Sequence, residues 1–151
     1  MPRSLSVMEL LALPQVIVGF RQAYEESDVG GSQPIEQGGF LLCDSDSGEV
    51  VVKRLPSSER DSLGYPLCSD GKYQGQEIVG SFHTHPNTGQ EWRQEPSPQD
   101  IRLSKDFPET MGPHQFVISR DTIYHIDNNG IVIAIGRTAN VLNLAFKETK
   151  T

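Results

Sequence analysis

The sequence predicts a mixed α/β domain, a sheet flanked by helices. Short runs rich in valine, leucine and isoleucine are bounded by Gly, Asn, Asp and Pro, as strands are. Between them lie segments with apolar residues at helical spacing or with helix-start signals. At 151 residues and 36% hydrophobic content the chain has the size of one domain and can bury a core without staples, so residues 1–151 are expected to form a single domain.

Just after Pro14, Val16, Ile17, Phe20 and Tyr24 share one helical face, which predicts a helix over 15–27. Gly30, Gly31, Ser32 and Pro34 break the chain, and 35–44 follows as a buried strand through Phe40, Leu41 and Leu42. A turn over 44–48 returns the valine-rich stretch 49–55 as its hairpin partner. From 56 to 76 the composition shifts to Ser, Asp, Gly, Lys and Gln, with Leu63, Tyr65 and Leu67 as apolar anchors. This reads as a long surface loop, and such loops inside compact domains are more often functional than idle.

Strand character resumes over 77–86, EIVGSFHTHP. A polar stretch leads to Ser97-Pro98-Gln99-Asp100, where a capping serine, a proline at the first helical position and an acid two residues later announce a helix that ends near Phe107. Residues 115–127 and 131–137 read as two further strands, and the Asn129-Gly130 pair between them signals a tight hairpin. A short last helix is expected from Thr138, docking through Val141, Leu142 and Phe146.

A net charge of -7 without long acidic runs repels phosphate backbones and anionic membranes, so nucleic acid is not expected as the main partner. The apolar stretch 10–20, flanked by Glu9 and broken by Pro14, is shorter than the roughly 20 residues that span a bilayer. No small-residue cleavage site follows it. Cys43 and Cys68 make no metal-binding spacing, and their count dictates no disulfide. A soluble, unprocessed cytoplasmic chain is expected.

Chemistry concentrates at His83 and His85. Residues i and i+2 of a strand point to the same side, so two imidazoles can converge on one ion. Imidazole suits Zn²⁺, whose catalytic sites take three protein ligands and leave a position for water. Asp100, on the first turn of the next helix, is the natural third ligand. Each piece also has a plain structural reading. The histidines can be solvated on a strand edge, Ser97 and Asp100 can be a helix cap, and Glu36 can be an exposed acid at the start of a strand.

The arrangement as a whole is what distinguishes them. Glu36, then His83-Thr84-His85-Pro86, then Ser97-Pro98-Gln99-Asp100 resembles the JAMM motif of the MPN (JAB/Mov34) metallopeptidase family, in its prokaryotic stand-alone form. The resemblance implies a three-layer architecture like that of cytidine deaminases. It also implies that His83, His85 and Asp100 ligate zinc, that Glu36 is the general acid/base and that Ser97 donates to the oxyanion. The implied reaction is hydrolysis of a peptide or isopeptide bond, with ubiquitin-like or sulfur-carrier-like proteins as substrates. Their extended tails would add as a strand beside the cleft, between walls formed by 57–76 and 87–96.

The interval between His85 and Ser97 is a few residues longer than in the eukaryotic deubiquitinating members, and Trp92 and Arg93 within it are candidate substrate contacts. Two other readings stand beside the hydrolase. A non-catalytic MPN scaffold would bind protein partners without metal, but such members lose motif positions that are all present here. A RadC-like protein acting near DNA would carry a basic stripe, and the sequence shows none. His114 and His125 have no spacing that marks them as ligands, and Cys68 has no cysteine-protease context.

Overall fold

The computed structural model describes residues 5–29, 31–32, 34–56, 65–86 and 94–144. Two helices open the chain, α1 (Val7–Leu11) and α2 (Pro14–Glu26). In α1, Ser6 accepts the Glu9 N–H at 3.1 Å while the Glu9 carboxylate accepts the Ser6 N–H at 2.9 Å. This reciprocal cap lets one and a half turns persist. Helix α2 begins with Pro14, where a missing N–H costs nothing, and buries Val16, Ile17, Phe20 and Ala23.

Seven strands form one mixed sheet: β1 (Gly38–Cys43), β2 (Val50–Leu55), β3 (Lys72–Tyr73), β4 (Gln76–His85), β5 (Gln115–Ser119), β6 (Thr122–Ile126) and β7 (Val132–Arg137). Its order is β2-β1-β4-β5-β6-β7, with β3 beside β4. Every pairing is antiparallel except β4 with β5. A parallel pair needs a crossover, and α3 (Pro98–Asp106) and α4 (Pro108–Met111) supply it. A last short helix, α5 (Thr138–Val141), follows β7.

Alternation along the strands divides the sheet into two faces. On one, the Phe20 ring of α2 lies 4.9 Å from Phe82 and 5.4 Å from Phe116, amid Leu41, Ile118 and Ile123. Burying a phenylalanine of this kind stabilises by about 1.5–3 kcal/mol. On the other, Phe40, Leu42, Leu55, Ile78 and Cys68 pack with Tyr65 and Tyr73. Helix α3 sits on this second face, because Ser104 donates to Gln115, whose side chain points away from that of Phe116. The layers are therefore helix, sheet, helix, as expected.

Three expectations need correction. The stretch read as one loop over 56–76 contains β3, closed onto β4 by Gln74 and Gly75, both at positive φ (53° and 80°). Two consecutive left-handed residues suit the twist of a tight hairpin, and a lone Gly after Gln is a weak sequence signal for it. The single strand read over 115–127 is two strands, β5 and β6. The Ser119 hydroxyl closes the turn between them, donating to the Thr122 carbonyl at 2.6 Å and accepting its N–H at 3.2 Å. Helices α1 and α4 were not anticipated, although Ser6-Val7-Met8-Glu9 is a legible capping box.

The hairpin at Gly130 is borne out. Asp127 accepts the N–H groups of Asn129 and Ile131, and Gly130 takes φ 82°. The short final helix is also present, with Leu142 fully buried after it, whereas Phe146 lies outside the described residues. No helix among the described residues is long and apolar enough to cross a membrane.

Candidate metal centre

The site forms where the C-terminal end of β4 meets the segment preceding β1 and the first turn of α3. The two-residue period of β4 sends His83 and His85 to one side, and their rings lie 5.1 Å apart. Opposite His83 in the register stands Gly38, which places no side chain against the imidazole. Its neighbour Gly39 is required sterically, since a Cβ there would collide with the Lys53 carbonyl of β2.

Thr84, between the two histidines, is fully buried and faces the other way. Its N–H donates to the Gln37 carbonyl at 2.8 Å, and its hydroxyl accepts the Gln37 N–H at 3.0 Å. The Gln37 side chain accepts from Arg54 at 2.6 Å, and Arg54 also pairs with Glu26 of α2 at 2.9 Å. Glu36 is thereby held beside the histidines. One carboxylate oxygen of Glu36 and one ring nitrogen each of His83 and His85 lie within 4.8 Å of one another, a group able to hold a metal ion.

Asp100 completes the cluster from α3. Its Oδ1 lies 3.3 Å from His83 Nε2 and its Oδ2 3.1 Å from His85 Nε2. Oδ2 also accepts the Ser97 N–H at 2.8 Å, and Ser97 Oγ accepts the Asp100 N–H at 3.1 Å. The carboxylate therefore caps the helix and contacts both imidazoles. The structure gathers Glu36 with His83 and His85 in one group and sets Asp100 against the two histidines, with Ser97 joined to them through Asp100. The plain reading of Ser97 and Asp100 as a helix cap is correct, and the same carboxylate also lies against both imidazoles.

Electrostatics reflect this crowding. Burial alone would lower the His83 imidazole, but the Asp100 carboxylate, with Glu36 adding to it, outweighs burial and raises it to about 9. For Asp100, burial acts upward and is outweighed by His83 and His85, which hold the carboxyl well below its usual range. Both ring nitrogens of His83 and Nδ1 of His85 are buried without a hydrogen-bond partner among the described residues. His83 Nε2 is close enough to Asp100 for charge pairing but is not aligned as a hydrogen bond. Orphaned buried nitrogens are costly and uncommon. Two imidazoles and a carboxylate beside them are the donor set a metal ion would satisfy.

Some neighbours escape a reading of the sequence. Tyr65 returns from the loop to donate its hydroxyl to the Phe82 carbonyl at 2.7 Å, one residue before His83. Burial, then the charges of Glu36 and Asp100, push its phenol well above the usual range. Thr84 and Gln37 were likewise unmarked, though Thr84 stands inside the motif. Cys68 is buried in the Phe40 cluster, and burial followed by Asp70 pushes its thiol up, the opposite of what a nucleophile requires. Cys43 and Cys68 form no disulfide among the described residues. His114 and His125 do not join the centre but bond to each other. Trp92 and Arg93 lie outside the described residues.

Fold and site together define a three-layer α/β domain with a metal-capable cluster at the end of a central strand. The profile of prokaryotic homologs of the JAB domain matches residues 22–138, well over half of the chain, and the chain belongs to that family. The resemblance read from the motif thus holds at the level of family. A comparison with curated proteins found no match.

Proposed function

We propose that this protein is a zinc-dependent hydrolase of peptide or isopeptide bonds, acting on the C-terminal tail of a ubiquitin-like or sulfur-carrier-like protein. The observation that carries the reading is the grouping of Glu36, His83 and His85, with Asp100 against both histidines, around buried ring nitrogens that lack hydrogen-bond partners among the described residues. His83, His85 and Asp100 would hold the metal. Zn²⁺ held there would supply a bound water of near-neutral pKa and Lewis acidity toward a carbonyl oxygen.

The remaining steps fall to the chain. Glu36 takes the proton of the attacking water and returns it to the leaving amine, a two-way role open to a carboxylate beside the reacting atoms. Ser97, whose oxygen already accepts the Asp100 N–H, directs its hydroxyl hydrogen at the carbonyl oxygen as charge develops there. Asp100 holds both histidines in orientation while its own position is fixed by the helix cap. The substrate tail adds in extended form beside the cleft.

The deciding measurement is metal content after dialysis without chelator, for the native protein and Asp100→Ala. About one zinc per chain in the native protein, lost in a variant that remains folded, supports the site and justifies assaying amides of ubiquitin-like tails with Glu36→Ala as control. A well-folded, zinc-supplemented native protein that holds no metal would sink the hydrolase reading and leave a protein-binding scaffold in its place.

A further inference from the structure

We infer that Thr84 is a positioning residue for Glu36: its hydroxyl, rather than its backbone carbonyl, receives the Gln37 N–H and so sets where the preceding carboxylate lies relative to the two histidines. The inference rests on the proposed metal site and concerns a residue to which the motif itself assigns no role. In a regular antiparallel pair, opposed residues exchange N–H and C=O groups. Here Thr84 N–H does donate to the Gln37 carbonyl, but the return bond goes to Thr84 Oγ1 at 3.0 Å. Regular β1 begins one residue later, at Gly38.

Replacing a carbonyl by a hydroxyl acceptor lets the segment leave strand geometry at this point while its N–H stays satisfied. The same residue that separates His83 from His85 therefore anchors the residue next to Glu36. The Gln37 side chain is held as well, by Arg54, which Glu26 of α2 steadies in turn. Glu36 is thus set through Thr84, which is fully buried and faces away from the histidines. Thr84 is fully buried, so water does not stand in for its hydroxyl.

The test compares native protein, Thr84→Val, Thr84→Ser and Glu36→Ala, each loaded with cobalt(II). The readouts are cobalt stoichiometry and the visible absorption of the ion across pH. Where the native protein cleaves a ubiquitin-like tail amide, kcat and KM are added. Thr84→Val is expected to fold and bind one cobalt, to move the pH midpoint of the spectrum in the same direction as Glu36→Ala, and to lower kcat about 10- to 100-fold with KM near native. Thr84→Ser should remain within about twofold of native on every readout, since it keeps the hydroxyl.

A Thr84→Val spectrum that follows native while Glu36→Ala departs would overturn the inference. So would a spectrum indifferent to Glu36→Ala, because Glu36 would then not reach the metal. Should Thr84→Val fail to fold, Thr84→Ala replaces it with the same expectation. A native protein that binds cobalt but cleaves nothing refutes the proposed hydrolysis alone, and the spectra still decide the role of Thr84.

Discussion

The molecule contains two histidine pairs, and they behave in opposite ways. His83 and His85 are two residues apart on one strand and face a carboxylate, and His83 is raised to about 9. His114 and His125 are eleven apart, precede β5 and lie on β6, and bond ring to ring at 2.8 Å. His125 is pushed down to about 4, by burial first and by the His114 charge second. The second pair is satisfied internally. Leu5 O accepts from His114 Nε2 at 2.7 Å, so at most one further proton fits between the two rings. Neighbours, not residue type or sequence spacing, decide which imidazoles remain available for a metal.

The largest effect is expected at the first pair. Glu36→Gln should lower the rate of any amide hydrolysis about 10²- to 10⁴-fold while zinc affinity, read by competition with a chelating indicator, stays near native. A loss of affinity that parallels the loss of rate would instead make Glu36 a ligand. Next, zinc at a hundred times its Kd should stabilise the native protein by about 2.7 kcal/mol, seen as a rise in Tm. Asp100→Ala should abolish that rise and His114→Phe should keep it. If His114→Phe abolished it too, the two pairs would not be independent.

The third effect concerns pH. His125 stays neutral in the folded protein to about 4, whereas its ordinary value is 6.5. Its contribution to stability is therefore complete above 6.5 and lost as pH falls toward 4, amounting to about 2 kcal/mol after allowance for partial solvation. Denaturant midpoints of His125→Phe should be flatter across that window. In metal-free protein the raised His83 acts in the opposite sense, its contribution being present below 6.5 and lost as pH rises through about 9. The smallest effect is Ser6→Ala, about 1 kcal/mol from the lost α1 cap, next to the Leu5 carbonyl that receives His114.

The contrast also explains what could be read from the sequence. The strand carrying His83 and His85 and the capped helix carrying Asp100 follow from local rules, period two and Ser-Pro-x-Asp, and the structure bears both out. Glu36 gains meaning only from a β1–β4 pairing that joins residues nearly fifty apart, which no local pattern encodes. The same holds for Gln37 with Thr84 and for His114 with His125. The break between β5 and β6 was hidden because Ser119, Arg120 and Asp121 contain neither Gly nor Pro, and a serine hydroxyl makes the turn. The β3 hairpin was hidden by the polar composition around it.

Because Asp100 closes the N-terminus of α3 as well as touching the histidines, that acid has a structural reason to persist in any descendant of this chain, whatever becomes of the histidines. The histidines have no such tie to the backbone, and a change at His83 would leave the Ser97 and Asp100 cap standing. Within such a lineage the informative letter is the histidine, and an intact Ser-x-x-Asp alone is compatible with a protein that has retired to binding.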